Sequence, residues 1–263
     1  MALALKSGKS NNVGVVVPRI DSNFFGSVIR GIEEELNPHG YHVIICQTDG
    51  NEAKEVADID ALLNSQVDGI LISTSSNNAS TFDRIMKKEV PLVFFDRKKT
   101  MKNVSSVTIN DFDGGYKATQ HLIDTGCKKI AYFSGDTNIE IFKDRFLGYK
   151  RALEAHGIEY DSKLVYVCDN NTDFEDGYEN AQKIMAEHPD IDAIFAITDL
   201  VAIGIIKYFN EAGIKTPDQV AVFGFSNWFM STVISPKLTT IDQPGFEMGH
   251  TAVSILIVTV LWK

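Results

Sequence analysis

The sequence predicts an α/β protein built as two doubly wound parallel-sheet lobes. Short apolar runs of strand length alternate with longer helical patterns along the chain, and near residue 112 the alternation starts a second time. Turn chemistry agrees with it. Gly40, Gly126, Gly157 and Gly213 each follow a helical stretch and precede a strand, where a left-handed helix terminus is expected.

The first round opens with a strand at Val13 to Val17, then a helix near Phe24 to Pro38, a strand at Tyr41 to Cys46 and a helix near Glu52 to Ser65. A strand at Gly69 to Ile72, a helix near Ala79 to Lys88, a strand at Pro91 to Phe95 and an additional strand at Ser105 to Ile109 complete one lobe. The second round runs helix Gly114 to Thr125, strand Lys129 to Phe133, helix Phe142 to His156, strand Leu164 to Val167 and helix Phe174 to Glu187. Strand Ala193 to Ile197, helix Leu200 to Ala212 and strand Val220 to Gly224 close it. Ligands of such sheets sit beyond the carboxyl ends of the strands, so two facing lobes are expected to form a cleft.

Composition narrows the function classes. A chain of 263 residues, 44% of them hydrophobic, buries a substantial core and is not disordered. Its 25 Lys and Arg against 35 Asp and Glu give a formal charge of −10, so this segment alone should repel DNA. Cys46, Cys127 and Cys168 are odd in number and widely spaced, which argues against a disulfide framework or a zinc site and for a reducing cytoplasm. Met1 to Lys6 is too short for the apolar part of a signal peptide. The apolar run Ala252 to Trp262 is about half of the ~20 residues that cross a bilayer, and reads as a buried helix.

Over nearly its whole length the chain resembles the lactose-repressor (LacI/GalR) family of transcription regulators. The matching stretches are Asn12 to Pro18, Asn23 to Phe25 with Gly31 to Glu33, Gly40-Tyr41, Val67 to Ile70 and Pro91 to Asp96. They continue with Asp111 to Gly115, His121-Leu122, Arg145 with Gly148-Tyr149, and Leu238 to Pro244, the most specific of all. The resemblance implies a fold like that of type I periplasmic binding proteins. It implies a linker remnant at residues 1–11, a first lobe of residues 12–111 plus 241–263, and a second of 112–240. In this family a helix-turn-helix headpiece and a hinge helix precede such a core; Ala2 to Ser10 resembles the end of that hinge, so the chain is expected to begin just after the headpiece.

A sugar site needs planar polar groups to bridge hydroxyls and aromatic faces to cover the ring. By resemblance, Phe24 and Phe25 lie over the effector; the plain alternative is that one of the pair is simply core. Arg145 matches the family arginine that grips it, a guanidinium being able to donate to two neighbouring hydroxyls; pairing with Asp144 or Glu140 is the plain alternative. Asp96 ends a strand at the carboxyl edge, Phe174 matches a stacking aromatic with a hydrophobic helix start as its competitor, and Asp199 opens a helix as an N-cap, with the family match favouring a dual role as cap and ligand contact. Ser226 stands where the family usually has an aspartate, with Asn227 placed to take over part of its work. Trp228, Phe229 and Met230 form an apolar cluster that reads as a dimer contact or as core.

Other motifs dissolve under closer reading. Gly8 to Ser10 imitates the end of a phosphate-binding loop, but Leu3 occupies the required upstream glycine position. Asp169 to Asp173 imitates half a calcium loop, yet Phe174 replaces its glycine and Asn180 its glutamate. His39 and His42 flank a glycine turn without further ligands. The expectation is therefore a cytoplasmic homodimer whose small, sugar-like effector controls operator binding allosterically through the headpiece, with no cofactor, metal or membrane partner. A sugar-binding protein for transport or chemosensing is the second reading on the same fold; an enzyme is the third, lacking a serine elbow, paired carboxylates or a metal cluster.

Overall fold

The structure, a computed structural model, describes residues 9–76, 79–168 and 173–261. Most of the expected linker, the glycine of the phosphate-loop imitation, residues 169–172 of the calcium-loop imitation and Trp262 lie outside the described residues.

The first elements are β1 (Asn12–Val17), α1 (Asn23–Leu36), β2 (His42–Gln47), α2 (Glu52–Asn64), β3 (Gly69–Ile72), α3 (Ala79–Lys87), β4 (Leu92–Phe95) and β5 (Ser105–Val107). There follow α4 (Asp111–Asp124), β6 (Ile130–Ser134), α5 (Glu140–Ala155), β7 (Val165–Val167), α6 (Phe174–Glu187) and β8 (Ala193–Ala196). Next come α7 (Asp199–Ala212), β9 (Ala221–Ser226), β10 (Thr239–Asp242) and α8 (Gly245–Leu261). Two compact units result: residues up to 109 together with 244 onward, and residues 110–243.

Each unit holds one five-stranded sheet, in the orders β2-β1-β3-β4-β5 and β10-β9-β8-β6-β7, and every pairing between strands is parallel. Counted from its own first strand, the second sheet repeats the 2-1-3-4-5 order of the first. This is one of the two common doubly wound arrangements.

Local sequence explains the strands that were read. In β1, Val13, Val15 and Val17 face one cluster, formed with α1 and α8, while Val16 faces another with Ile59, Ile70 and Phe94. A strand buried on both faces must be apolar throughout, which makes it conspicuous. β10 went unread for the opposite reason: Thr239 and Asp242 are exposed and it borders the sheet. Because β10 pairs with β9, residues 241–243 belong to the second unit, and the chain crosses at 109/110 and 243/244 instead of the expected 111/112 and 240/241. Gly40, Gly126, Gly157 and Gly213 all have positive φ, as turn chemistry required.

Helices pack in tight pairs, α1 with α8, α4 with α5 and α6 with α7. Each pair meets through two reciprocal glycines. A Cβ on Gly148 would lie 2.2 Å from the Phe112 carbonyl oxygen and one on Gly115 2.3 Å from that of Arg145; Gly31/Gly249 and Gly177/Gly204 repeat the arrangement. In α8, Met248, Ala252, Val253, Leu256 and Ile257 are buried, so the C-terminal apolar run is a core helix. Among the described residues no helix is long and apolar enough to cross a membrane.

Candidate ligand-binding site

In the second unit, Asn110 caps α4 by accepting from the Asp113 amide, which sets Asp111 in the first turn. The glycine contact between α4 and α5 then brings Arg145 beside it. Arg145 Nε donates to Asp111 Oδ1 at 2.8 Å, Nη1 donates to the Ile197 carbonyl at 3.0 Å, and the guanidinium lies 3.6 Å from the centre of the Phe225 ring. Arg145 is 3% exposed and Asp111 4%. A buried charge is tolerated only when paired and hydrogen-bonded, and this one is both. The buried ion pair is made with Asp111, 34 positions away, so Arg145 is not the surface arginine that the sequence offered as its alternative. The Ile197 carbonyl follows β8, next to β6 at the reversal of strand order, the switch point where doubly wound sheets bind ligands.

Asp199 needs a correction to one of its two expected roles. The cap of α7 is Thr198, whose hydroxyl accepts from the Val201 amide; Asp199 is the first helical residue. Its carboxylate accepts from the Trp228 amide at 2.6 Å, the Thr240 hydroxyl at 2.5 Å and the Phe225 backbone. Burial raises its carboxyl above the usual range, against these hydrogen bonds. At 1% exposure, it acts as a strut joining α7, β9, β10 and the loop after β9. Ser226, the last residue of β9, and Asn227, the first of that loop, have φ 127° and 52°, a strained pair for residues with side chains. Asn227 is exposed and donates from Nδ2 to Asp242 Oδ1 at 2.9 Å. Phe174, half-buried, begins α6 just after an Asp173/Asp176 capping box. Trp228 is half-buried, and the 3-10 turn after it leaves Phe229 62% and nearby Val233 66% exposed, so the apolar cluster is largely a surface feature.

The first unit presents a different edge. Phe24 and Phe25 are both buried in the core, ring edge to face at 5.2 Å, with Phe25 also packed on Phe95. Asp96, just past β4 at φ 57°, is buried and accepts from the Ser73 hydroxyl at 3.0 Å. Beside it lies a group that sequence reasoning missed. Glu55 of α2 is wholly buried and holds the loop after β3, accepting from the Thr74 hydroxyl and the Ser75 amide at 2.7 Å each; burial raises its carboxyl. Nothing in a helix containing four acids marks this one. Asp111 and Asp242, also missed as site residues, stood inside recognised motifs and were readable there.

Residues 10–260 match the family described as periplasmic binding proteins and sugar binding domain of LacI family. The HTH-type transcriptional repressor PurR of Photobacterium profundum is 32% identical over 258 residues, 98% of this chain and 77% of that protein. A LacI family transcriptional regulator from Enterococcus faecium, solved with bound ribose, superposes with a TM-score of 0.87 at 29% identity, covering 95% of this chain and 91% of its own. A complex of the transcriptional regulator CelR with cellobiose gives 0.87 at 25% identity, covering 99% of this chain and 83% of its own. Two sheets of one topology, an arginine held at a switch point and a match over almost every described residue lead to one assignment: this chain belongs to the family of periplasmic binding proteins and LacI-type sugar-binding domains.

Proposed function

We propose that the chain is the effector-binding and dimerisation core of a cytoplasmic LacI-type transcription regulator, and that its effector is a small carbohydrate. Arg145 carries the reading of the site. Its guanidinium is fixed at the switch point by Asp111, the Ile197 carbonyl and the Phe225 face, so the orientation of its remaining donors is set before any ligand arrives. Asn227 and Ser226 add polar groups and Phe174 an aromatic one at the same edge of the second sheet. Asp96 supplies a carboxylate at the edge of the first, with Phe24 and Phe25 packed behind it as support. The relatives solved with ribose and with cellobiose support a carbohydrate.

Regulation is allosteric: the ligand favours one of two states of the core, with a coupling of ~1–3 kcal/mol to operator DNA held by a helix-turn-helix headpiece like those of the HTH-type relatives. The exposed apolar residues Phe229 and Val233, beside the half-buried Trp228, are the contact between two copies in a homodimer. A thermal-shift screen with mono- and disaccharides tests the site, since a ligand at ~100 times its Kd adds ~2.7 kcal/mol. Asn227→Ala should weaken a hit by about tenfold, the worth of one hydrogen bond to a ligand. No response to any sugar would sink the carbohydrate reading. Phe229→Asp with Val233→Asp should lower the sedimentation coefficient to that of a single chain; an unchanged dimer would move the interface elsewhere.

A further inference from the structure

We propose, resting on the carbohydrate reading and on Asn227 as a ligand contact, that Thr240 is a positioning residue. Its hydroxyl ties the loop after β9 to the Asp199 carboxylate and so fixes where Asn227 meets a sugar. The parallel register sets Thr240 beside Gly224 and Ile241 beside Phe225. Alternation along the strands then gives β9 and β10 two different faces. On one face, the Phe225 ring carries the Arg145 guanidinium at 3.6 Å. On the other, a Cβ on Gly224 would lie 2.2 Å from Asp199 Oδ1, so the glycine leaves room that the carboxylate fills. The Thr240 hydroxyl donates to that same Oδ1 at 2.5 Å, and its oxygen accepts from the Asn227 amide at 3.2 Å. Asp199 Oδ2 accepts from the Trp228 amide at 2.6 Å. Two successive amides of the loop are thus held, one by the carboxylate directly and one through Thr240.

The loop needs holding. Ser226 and Asn227 both have positive φ, a conformation that residues with side chains keep only when their surroundings impose it. With the backbone so fixed, Asn227 Nδ2 reaches Asp242 Oδ1 at 2.9 Å, and its side-chain oxygen and second amide hydrogen are left for a ligand. The Phe225 backbone is bonded to Asp199 as well, so one carboxylate sets both the strand under Arg145 and the loop carrying Asn227. A sugar that bridges the two residues finds their separation set in advance, which removes an ordering cost from binding. Thr240 is suited to the relay because a hydroxyl donates and accepts at once. Serine would do both, and valine, of nearly the same shape, would do neither.

Two measurements on the purified chain test this: amide hydrogen exchange without ligand, and calorimetric titration with ribose, glucose and cellobiose. Thr240→Val should speed exchange at the Asn227 and Trp228 amides by about tenfold or more while the β6 amides keep their protection. It should weaken a responding sugar by about tenfold. Thr240→Ser should stay within about twofold of the parent chain in both, since the relay survives. In an Asn227→Ala background, Thr240→Val should weaken the sugar by less than about twofold further, because its effect passes through Asn227. Unchanged loop exchange in Thr240→Val overturns the proposal, as does a Thr240→Ser chain as weak as Thr240→Val. Fully additive losses in the double variant also overturn it, because Thr240 would then act through general packing; all three results leave the carbohydrate reading standing. Silence of the parent chain toward every sugar overturns that reading and the positioning role with it, whatever the loop amides do.

Discussion

The two units share one topology but spend their buried polar groups differently. At the carboxyl edge of the first sheet, acids serve the backbone: Glu55 fastens the loop after β3, and Asp96 takes the Ser73 hydroxyl. At the second, a full ion pair is buried beneath an aromatic ring, and Asp199 clamps two strands and a loop. A common fold therefore fixes where chemistry can be placed, and the side chains decide which unit buries a full ion pair.

The largest expected effect tests that asymmetry directly. Asp111→Ala leaves Arg145 buried and uncompensated and should cost ~3–5 kcal/mol, whereas Asp96→Ala in the first unit should cost ~1–3 kcal/mol. Urea denaturation followed by amide hydrogen exchange reads both, and the loss from Asp111→Ala should be concentrated in residues 110–243. Equal losses in the two variants would erase the contrast. Where the units are alike, the effects should be alike: Gly148→Ala and Gly249→Ala each drive a Cβ against a backbone carbonyl, at 2.2 and 2.1 Å, and should destabilise by ~1–3 kcal/mol or more.

The pH dependence sharpens the comparison. A carboxyl whose pKa is raised by folding holds its proton more tightly in the native state, so its contribution to stability is fullest at acid pH. That contribution is lost as pH climbs from the ordinary carboxylate range of ~4 through the raised value. Glu55 does this in the first unit and Asp199 in the second. Glu55→Gln should flatten the decline for exchange in the first unit only, and Asp199→Asn in the second only; a flattening shared by both units would show that they unfold as one. Smallest of all, Arg84→Ala and Lys117→Ala remove exposed ion pairs to Asp60 and Asp113 and should shift stability by less than ~1 kcal/mol in either unit.

The fold was legible because its central strands are buried on two faces, and the carboxyl edges of its sheets were legible as places. The partners at those edges were not. Asp111 and Arg145 lie 34 positions apart, and no spacing rule joins them; what joins them is the close approach of α4 and α5 at Gly115 and Gly148. Phe24 and Phe25 were read as ligand contacts with one of the pair as core, and only packing settles that both enter the core. β10 was recognised as a motif and missed as a strand because edge strands lack the continuous apolar run that marks buried ones.

The crossing points also set an order in time. The second unit is one unbroken stretch of chain, while the first begins at β1 and is closed only by α8, whose Gly249 seats against α1. On a ribosome adding ~5–20 residues per second, β1 to β5 wait on the order of ten seconds or more for that helix. During the wait Val28 and Ile32, the α1 residues that α8 covers, have no lid. Of the two units, the one begun first is therefore finished last, and a nascent-chain chaperone would engage its sheet for longer than that of the other unit.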